Sequence, residues 1–190
     1  MLELRSESPP EWIAAVLADF DGFLVDHAAC ERKASATAMS FVVRYPDREL
    51  LIEPMIELAI EELEHFHQVY KIISERRIKL TPDVKDPYIN TLLKAIRTGR
   101  DERLLDRLVV GGVVEARGCE RFRIVADALP EGDLKVFYDE IAKSEARHHG
   151  LFLRMARHYF PEDVVAKRHD EFLGIEAVAL AGLKPRAVLH

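Results

Sequence analysis

Four acidic residues sit where a helical chain should bury apolar side chains, and nothing else in the sequence constrains the fold as much. Apolar residues recur at spacings of three and four almost throughout, and strand-type alternation is nearly absent, so the chain reads as all-α. In "IEELEHFHQVY", Ile60 to Tyr70, the spacing Glu-x-x-His occurs twice in overlapping register. Met55, Leu58, Ala59, Phe66, Val69, Ile72 and Ile73 form one apolar stripe, and Glu62 and His65 fill its gap. Glu64 and His67 align instead with Glu57, Ile60 and Lys71, a mostly polar row that belongs to solvent or to a flank.

The same test applies to three other long segments. Glu31 falls in a stripe of Leu24, Ala28, Ala38, Phe41 and Val42. Glu115 falls in one of Leu104, Leu108, Gly111, Cys119, Phe122 and Val125. Glu145 and His148, again Glu-x-x-His, fill the gap among Leu134, Phe137, Tyr138, Ile141, Phe152 and Met155. The order is Glu, Glu-x-x-His, Glu, Glu-x-x-His. Glu31 and Glu62 are 31 residues apart and Glu115 and Glu145 are 30 apart, which suggests a duplicated helix pair.

Boundary signals place the long helices at about Asp21–Arg44, from an Asp47 N-cap to about Arg77, from an Asp101 cap to about Leu129, and from an Asp133 cap to about Tyr159. Pro54 either kinks the second of these or marks a late start. Short helices are expected after "SPPEW", from Asp86-Pro87 to "TGRD" with Gly99 as the residue after its end, and as one or two pieces beyond Pro161. Four helices of roughly 23 to 30 residues, with the long connection in the middle, predict a ferritin-like four-helix bundle with short accessory helices. No linker or low-complexity segment appears, so residues 1–190 read as one domain.

Four carboxylates converging in such a core repel one another and lose solvation, at several kcal/mol for each unpaired buried ion. No Lys or Arg lies in the gaps of the stripes, so the counter-charge must come from elsewhere. Two divalent cations would balance the four glutamates. Carboxylate with imidazole suits iron or manganese better than a thiolate-type zinc site. One Glu from each of two helices and Glu-x-x-His from each of the other two is the arrangement of dinuclear carboxylate bundles. The expected ligands are Glu31, Glu62, His65, Glu115, Glu145 and His148.

Neighbouring residues admit more than one reading. His27, one turn before Glu31, and His149 suit packing or support of the site better than ligation. Glu61 and Ser144, each four residues before a ligand histidine, could bond the far ring nitrogen of a histidine on the partner helix, or simply face water. Gly111, Gly112 and Gly118 either leave room for a substrate or allow close helix packing. Tyr138 reads as core, as do Cys30 and Cys119, which form no CxxC motif.

The segments "DHAACERKASATAMSFVVRYPD", "EELEHFHQVY", "VVEARGCERFRIVAD" and "SEARHHGLF", spanning Asp26 to about Phe152, resemble the tRNA-(2-methylthio-N6-isopentenyladenosine) hydroxylase family. "CERKA" and "EARGCERF" separate this family from other ferritin-like proteins. Its "EExxHF" register puts ligands on Glu62 and His65, in agreement with the stripe. His67 departs from it, since an acidic residue is expected there. The resemblance implies a non-heme di-iron monooxygenase that uses dioxygen to hydroxylate the isopentenyl group of a modified adenosine beside the anticodon.

The chain carries no flavin, nicotinamide or iron–sulfur motif, so electrons must come from an external donor of ferredoxin or reductase type. The formal charge of −6 argues against nucleic-acid binding through bulk charge. A local basic face for tRNA would draw on Arg32, Lys33, Arg117, Arg121, Arg123, Lys143 and Arg147. With no membrane-length apolar run and no signal-peptide layout, a cytoplasmic monomer or dimer is expected. The competing readings are another ferritin-like di-metal function (ferroxidase and iron storage, or peroxidase) and a metal-free helical scaffold. The missing CxxC pairs disfavour a rubrerythrin-type peroxidase.

Overall fold

The computed structural model describes residues 3–190, and every regular element among them is an α-helix. In order these are α1 (Pro10–Ala18), α2 (Phe20–Arg44), α3 (Glu49–Glu75), α4 (Pro87–Lys94), α5 (Arg100–Ala128), α6 (Asp133–Tyr159) and α7 (Glu162–Ala181). The tail is therefore one helix.

Several boundaries differ from the sequence expectation. The helix expected from about Asp21 begins at Phe20, and Asp19 caps it, its carboxylate accepting from the Gly22 amide at 3.0 Å. The N-caps of α3, α5 and α6 are Arg48, Gly99 and Gly132, none with a side-chain cap bond, rather than Asp47, Asp101 and Asp133. Gly99 thus opens α5 instead of closing α4, which already ends at Lys94. Gly132 has φ 152°, a conformation side chains disfavour, which suits the "PEGD" turn to glycine. Asp86 does cap α4, accepting from the amides of Tyr88 and Ile89, with Pro87 at the first position. Pro54 lies inside α3, five residues after its start, so it does not mark a late beginning.

At the C-terminus of α3 the amide of Ile78 reaches the Ile73 carbonyl and that of Arg77 reaches Ser74. Arg77 takes φ 58°. This is the Schellman pattern with arginine in the place glycine usually holds.

The described residues fall into two compact units. One takes in Ala14–Val84 and Arg186–Leu189. Its body is the α2–α3 pair, closed by the short turn after Arg44 and tied where the Ser35 hydroxyl donates to the Ala59 carbonyl at 2.7 Å. Phe23, Leu24, Ala28 and Phe41 are buried on α2, and Leu51, Met55, Leu58, Val69 and Ile73 on α3. Burying the eight large side chains among these contributes roughly 12 to 24 kcal/mol before chain entropy is charged against it.

The other unit takes in the described residues up to Ile13, Lys85–Pro185 and His190. Here α5 packs along α6 and is also flanked by α7, while α4 rests on α7. A Cβ at Gly111 would fall 2.7 Å from the Phe152 ring, and one at Gly112 would fall 3.3 Å from Leu153. These two glycines let α6 approach closely, which decides between their two sequence readings. Tyr138 is fully buried against Phe122 and Phe137, as expected of a core residue. No helix among the described residues is long and apolar enough to cross a membrane.

Candidate metal centre

All six expected ligand residues are buried, whereas Glu64 and His67 are exposed. The stripe phase therefore separates the two overlapping registers of α3 correctly.

In the α2–α3 unit, Glu31, Glu62 and His65 each offer one ligand atom, and these lie within 4.8 Å of one another. His65 Nδ1 is 3.7 Å from Glu31 Oε2 and 3.7 Å from Glu62 Oε2. Those separations are too long for hydrogen bonds. They suit three donors around one ion, since bonds of about 2.1 Å put ligand atoms roughly 3 to 4 Å apart. In the other unit Glu115, Glu145 and His148 likewise bring one ligand atom each within 4.8 Å of the others, and His148 Nδ1 is 3.8 Å from Glu145 Oε1. Each trio combines two carboxylates with one imidazole, a donor set that fits a divalent first-row metal.

The electrostatics of the first trio agree. Burial pushes the Glu31 carboxyl up, but the hydrogen bond and charge of His27, with His65 close by, outweigh it, and the net shift is downward. Burial opposes a charged His65, yet the Glu31 and Glu62 carboxylates beside it push it up to about 10. Without metal a proton thus holds the two carboxylates together, and a metal ion must displace it. That proton's stabilisation of the metal-free fold is full below the ordinary histidine value of 6.5 and is lost as pH rises through about 10.

A prediction follows for metal binding. The affinity of this trio for Co2+ should rise about tenfold per pH unit between about pH 6 and pH 8, with one proton released. Calorimetric titration in buffers of different ionisation enthalpy measures both, and a pH-independent affinity with no proton release would contradict it.

The surrounding residues fall into place with some corrections. Glu61 and Ser144 each stand beside the histidine of their own helix. Glu61 Oε1 is 4.0 Å from His65 Nε2, and Ser144 Oγ is 3.4 Å from His148 Nε2. A residue four positions back shares its helix face with the histidine, which makes this contact local. His149 packs, with Nδ1 2.7 Å from the Gly112 carbonyl. Gly118 differs from the other two glycines: a Cβ there would lie 3.5 Å from Glu145 Oε2, an ordinary contact beside the carboxylate.

Of the seven basic residues, two are removed from any phosphate-binding set. Arg117 is fully buried. It donates from Nε to Glu176 Oε1, from Nη1 to Glu120 Oε2 and from Nη2 to the Ser6 carbonyl, each at 2.8 Å. Tyr88 also donates to Glu176 Oε1, at 3.1 Å. Arg121 is buried over the Trp12 ring at 4.6 Å and donates to Ser8 Oγ. Burial, and then the charge of Arg117, lower its pKa to about 10. Arg32, Arg123, Lys143 and Arg147 are exposed and Lys33 is half-buried. Arg32 pairs with Asp83 at 2.7 Å and Lys143 with Glu140 at 2.7 Å.

Glu176 is a structural acid that sequence reasoning missed. It lies on the buried stripe of α7 with Val165, Phe172, Leu173, Ala179 and Leu180, so the same phase test marks it.

The comparisons with known proteins match this picture. The family described as tRNA-(MS[2]IO[6]A)-hydroxylase (MiaE) matches residues 2–190. The chain belongs to this family. It is 40% identical over 164 residues to the tRNA 2-(methylsulfanyl)-N(6)-isopentenyladenosine(37) hydroxylase of Pseudomonas putida, covering 86% of this chain and 80% of that protein. The hydroxylase of the same description from Salmonella typhimurium is 37% identical over 142 residues, 75% of this chain and about half, 52%, of the relative. Among solved structures, a Synechococcus protein with aldehyde deformylating oxygenase activity matches with a TM-score of 0.92 and 35% identity, covering 97% of this chain and 92% of that one. The MiaE chain thus has the all-α, ferritin-like fold expected from its sequence, and its family is one of tRNA-hydroxylating enzymes.

Proposed function

We propose that the two trios together hold two iron ions, with Glu31, Glu62, His65, Glu115, Glu145 and His148 as ligands, inside a single ferritin-like domain formed by both units. With that centre the chain hydroxylates a terminal methyl of the isopentenyl group on 2-methylthio-N6-isopentenyladenosine, next to the anticodon. The observation that carries this reading is the repetition of one buried donor set, two carboxylates and an imidazole, in each unit of a chain 40% identical to a hydroxylase of that nucleoside.

A bound di-iron centre would supply the activation of dioxygen. The balance of the reaction is R–CH3 plus O2, two electrons and two protons giving R–CH2OH and water. The two electrons require an external donor of ferredoxin or reductase type, and the tRNA substrate places the reaction in the cytoplasm. The chain's own residues fix the carboxylates and imidazoles, keep bulk water from them by burial, and leave Gly118 without a side chain beside Glu145. The Synechococcus structure carries a different oxygenase activity on a similar fold, so the substrate rests on the hydroxylase relatives, not on the fold.

The test is direct. Iron-loaded protein, reductant and dioxygen are given tRNA bearing the methylthio-isopentenyl nucleoside, and the digested nucleosides are analysed by mass. The expected product has gained one oxygen atom, derived from labelled O2. Unchanged nucleoside with a competent reductant would sink the substrate assignment.

Arg32, Lys33, Arg123, Lys143 and Arg147 are the proposed phosphate contacts. Changing Arg123, Lys143 or Arg147 to Ala should each weaken tRNA binding and reduce the magnitude of the salt slope by about one. A slope identical to wild type in all three variants would rule out this face.

A further inference from the structure

The two trios repeat the same ligands, but their carboxylates are not held alike. His27 is completely buried on α2, one turn before Glu31, and its Nε2 lies 2.6 Å from Glu31 Oε1. The Phe23 ring packs beside it, with centroids 6.1 Å apart. This leaves Glu31 Oε2 as the oxygen that faces His65 Nδ1, at 3.7 Å. The corresponding position on α5, one turn before Glu115, is Gly111. It has no side chain to offer, and the space a Cβ would take is filled by the Phe152 ring at 2.7 Å. The helix that carries Glu115 therefore provides no counterpart to His27.

We propose that His27 is a positioning residue that fixes Glu31 to ligate through Oε2 alone, and that this makes the two metal positions inequivalent. The position at Glu31, Glu62 and His65 is pre-organised and fills first. The position at Glu115, Glu145 and His148 keeps a carboxylate that can change its mode of binding. The physical reason is that a fixed ligand loses little freedom when metal arrives, whereas a mobile one must be ordered at that moment. The inference rests on the metal-binding reading above.

Co2+ serves as the probe, because its ligand-field bands report each position without turnover. Metal-free wild-type protein should bind two Co2+ per chain in two resolved steps. His27→Leu keeps apolar bulk and removes the hydrogen bond. It should weaken the first step about 10- to 100-fold, leave the second unchanged, and alter the bands that grow in the first step only. His27→Gln can still donate to Glu31 and should restore most of the lost affinity, a rescue that a purely space-filling role would not produce.

The outcomes are distinguishable. Fewer than two Co2+ bound by wild type would overturn both the metal centre and this inference. Two Co2+ in wild type, with both steps unchanged or equally weakened in His27→Leu, would overturn the inference and leave the centre standing. If His27→Leu fails to fold, His27→Gln is compared with His27→Met: a first step kept in Gln and weakened in Met supports the role, and equal first steps in the two overturn it.

Discussion

Glu62→Ala loses metal from the α2–α3 trio, while Glu64→Ala, two residues away on the same helix, binds as wild type. Glu62 is almost completely buried and supplies a carboxylate to its trio. No solvent-facing residue can replace it. Removing a partner outside the ligand set typically costs 10- to 100-fold in affinity, so losing a ligand should cost more than about 100-fold, with hydroxylation falling at least in proportion. Glu64 points to water, and its loss should change stability by less than about 0.5 kcal/mol. Metal content after iron loading separates the two variants. Equal metal loss in both would mean that the stripe phase does not select the ligands.

The second large effect concerns the fold beside the site. Arg117→Ala leaves Glu176 as a buried carboxylate whose cation is gone, together with the Ser6 carbonyl and Glu120 that Arg117 also binds. Breaking one side of such a buried pair costs about 3 to 5 kcal/mol, because the remaining charge keeps its desolvation penalty. In a chain of this size the melting temperature should fall by roughly 6 to 20 °C. The double change Arg117→Met with Glu176→Leu removes both charges and should recover much of the loss. Arg123→Ala, at an exposed position on the same helix, is the control. A melting temperature unchanged by Arg117→Ala would mean that the pair contributes nothing to the fold.

These two predictions mark what could be read from the sequence. The burial of Glu31, Glu62, His65, Glu115, Glu145 and His148 follows from the phase of apolar residues along single helices, which is local information. The family follows from segments such as "EARGCERF". What escaped depends on tertiary structure. An arginine on a helix is usually solvated, so sequence alone leaves Arg117 and Arg121 available to phosphate. Their environment comes from Glu176, which is 59 positions beyond Arg117, and from Trp12 and Ser8 near the N-terminus. The helix caps failed for a different reason. Asp101 and Asp133 lie in first turns, where the helix dipole favours an acid as much as at the cap itself.

The His27 contact lies between these cases. Its position one turn before Glu31 is visible in the sequence. Its consequence appears only when the 2.6 Å contact is set beside Gly111 and the Phe152 ring that occupies the matching place.

The proposed chemistry needs a metal ion in each of the two trios. Anomalous diffraction at the iron edge from crystals of the iron-loaded chain measures this directly. The expected result is two peaks per chain, one within bonding distance of Glu31, Glu62 and His65 and the other of Glu115, Glu145 and His148. A single peak, or iron bound away from these six residues, would contradict it.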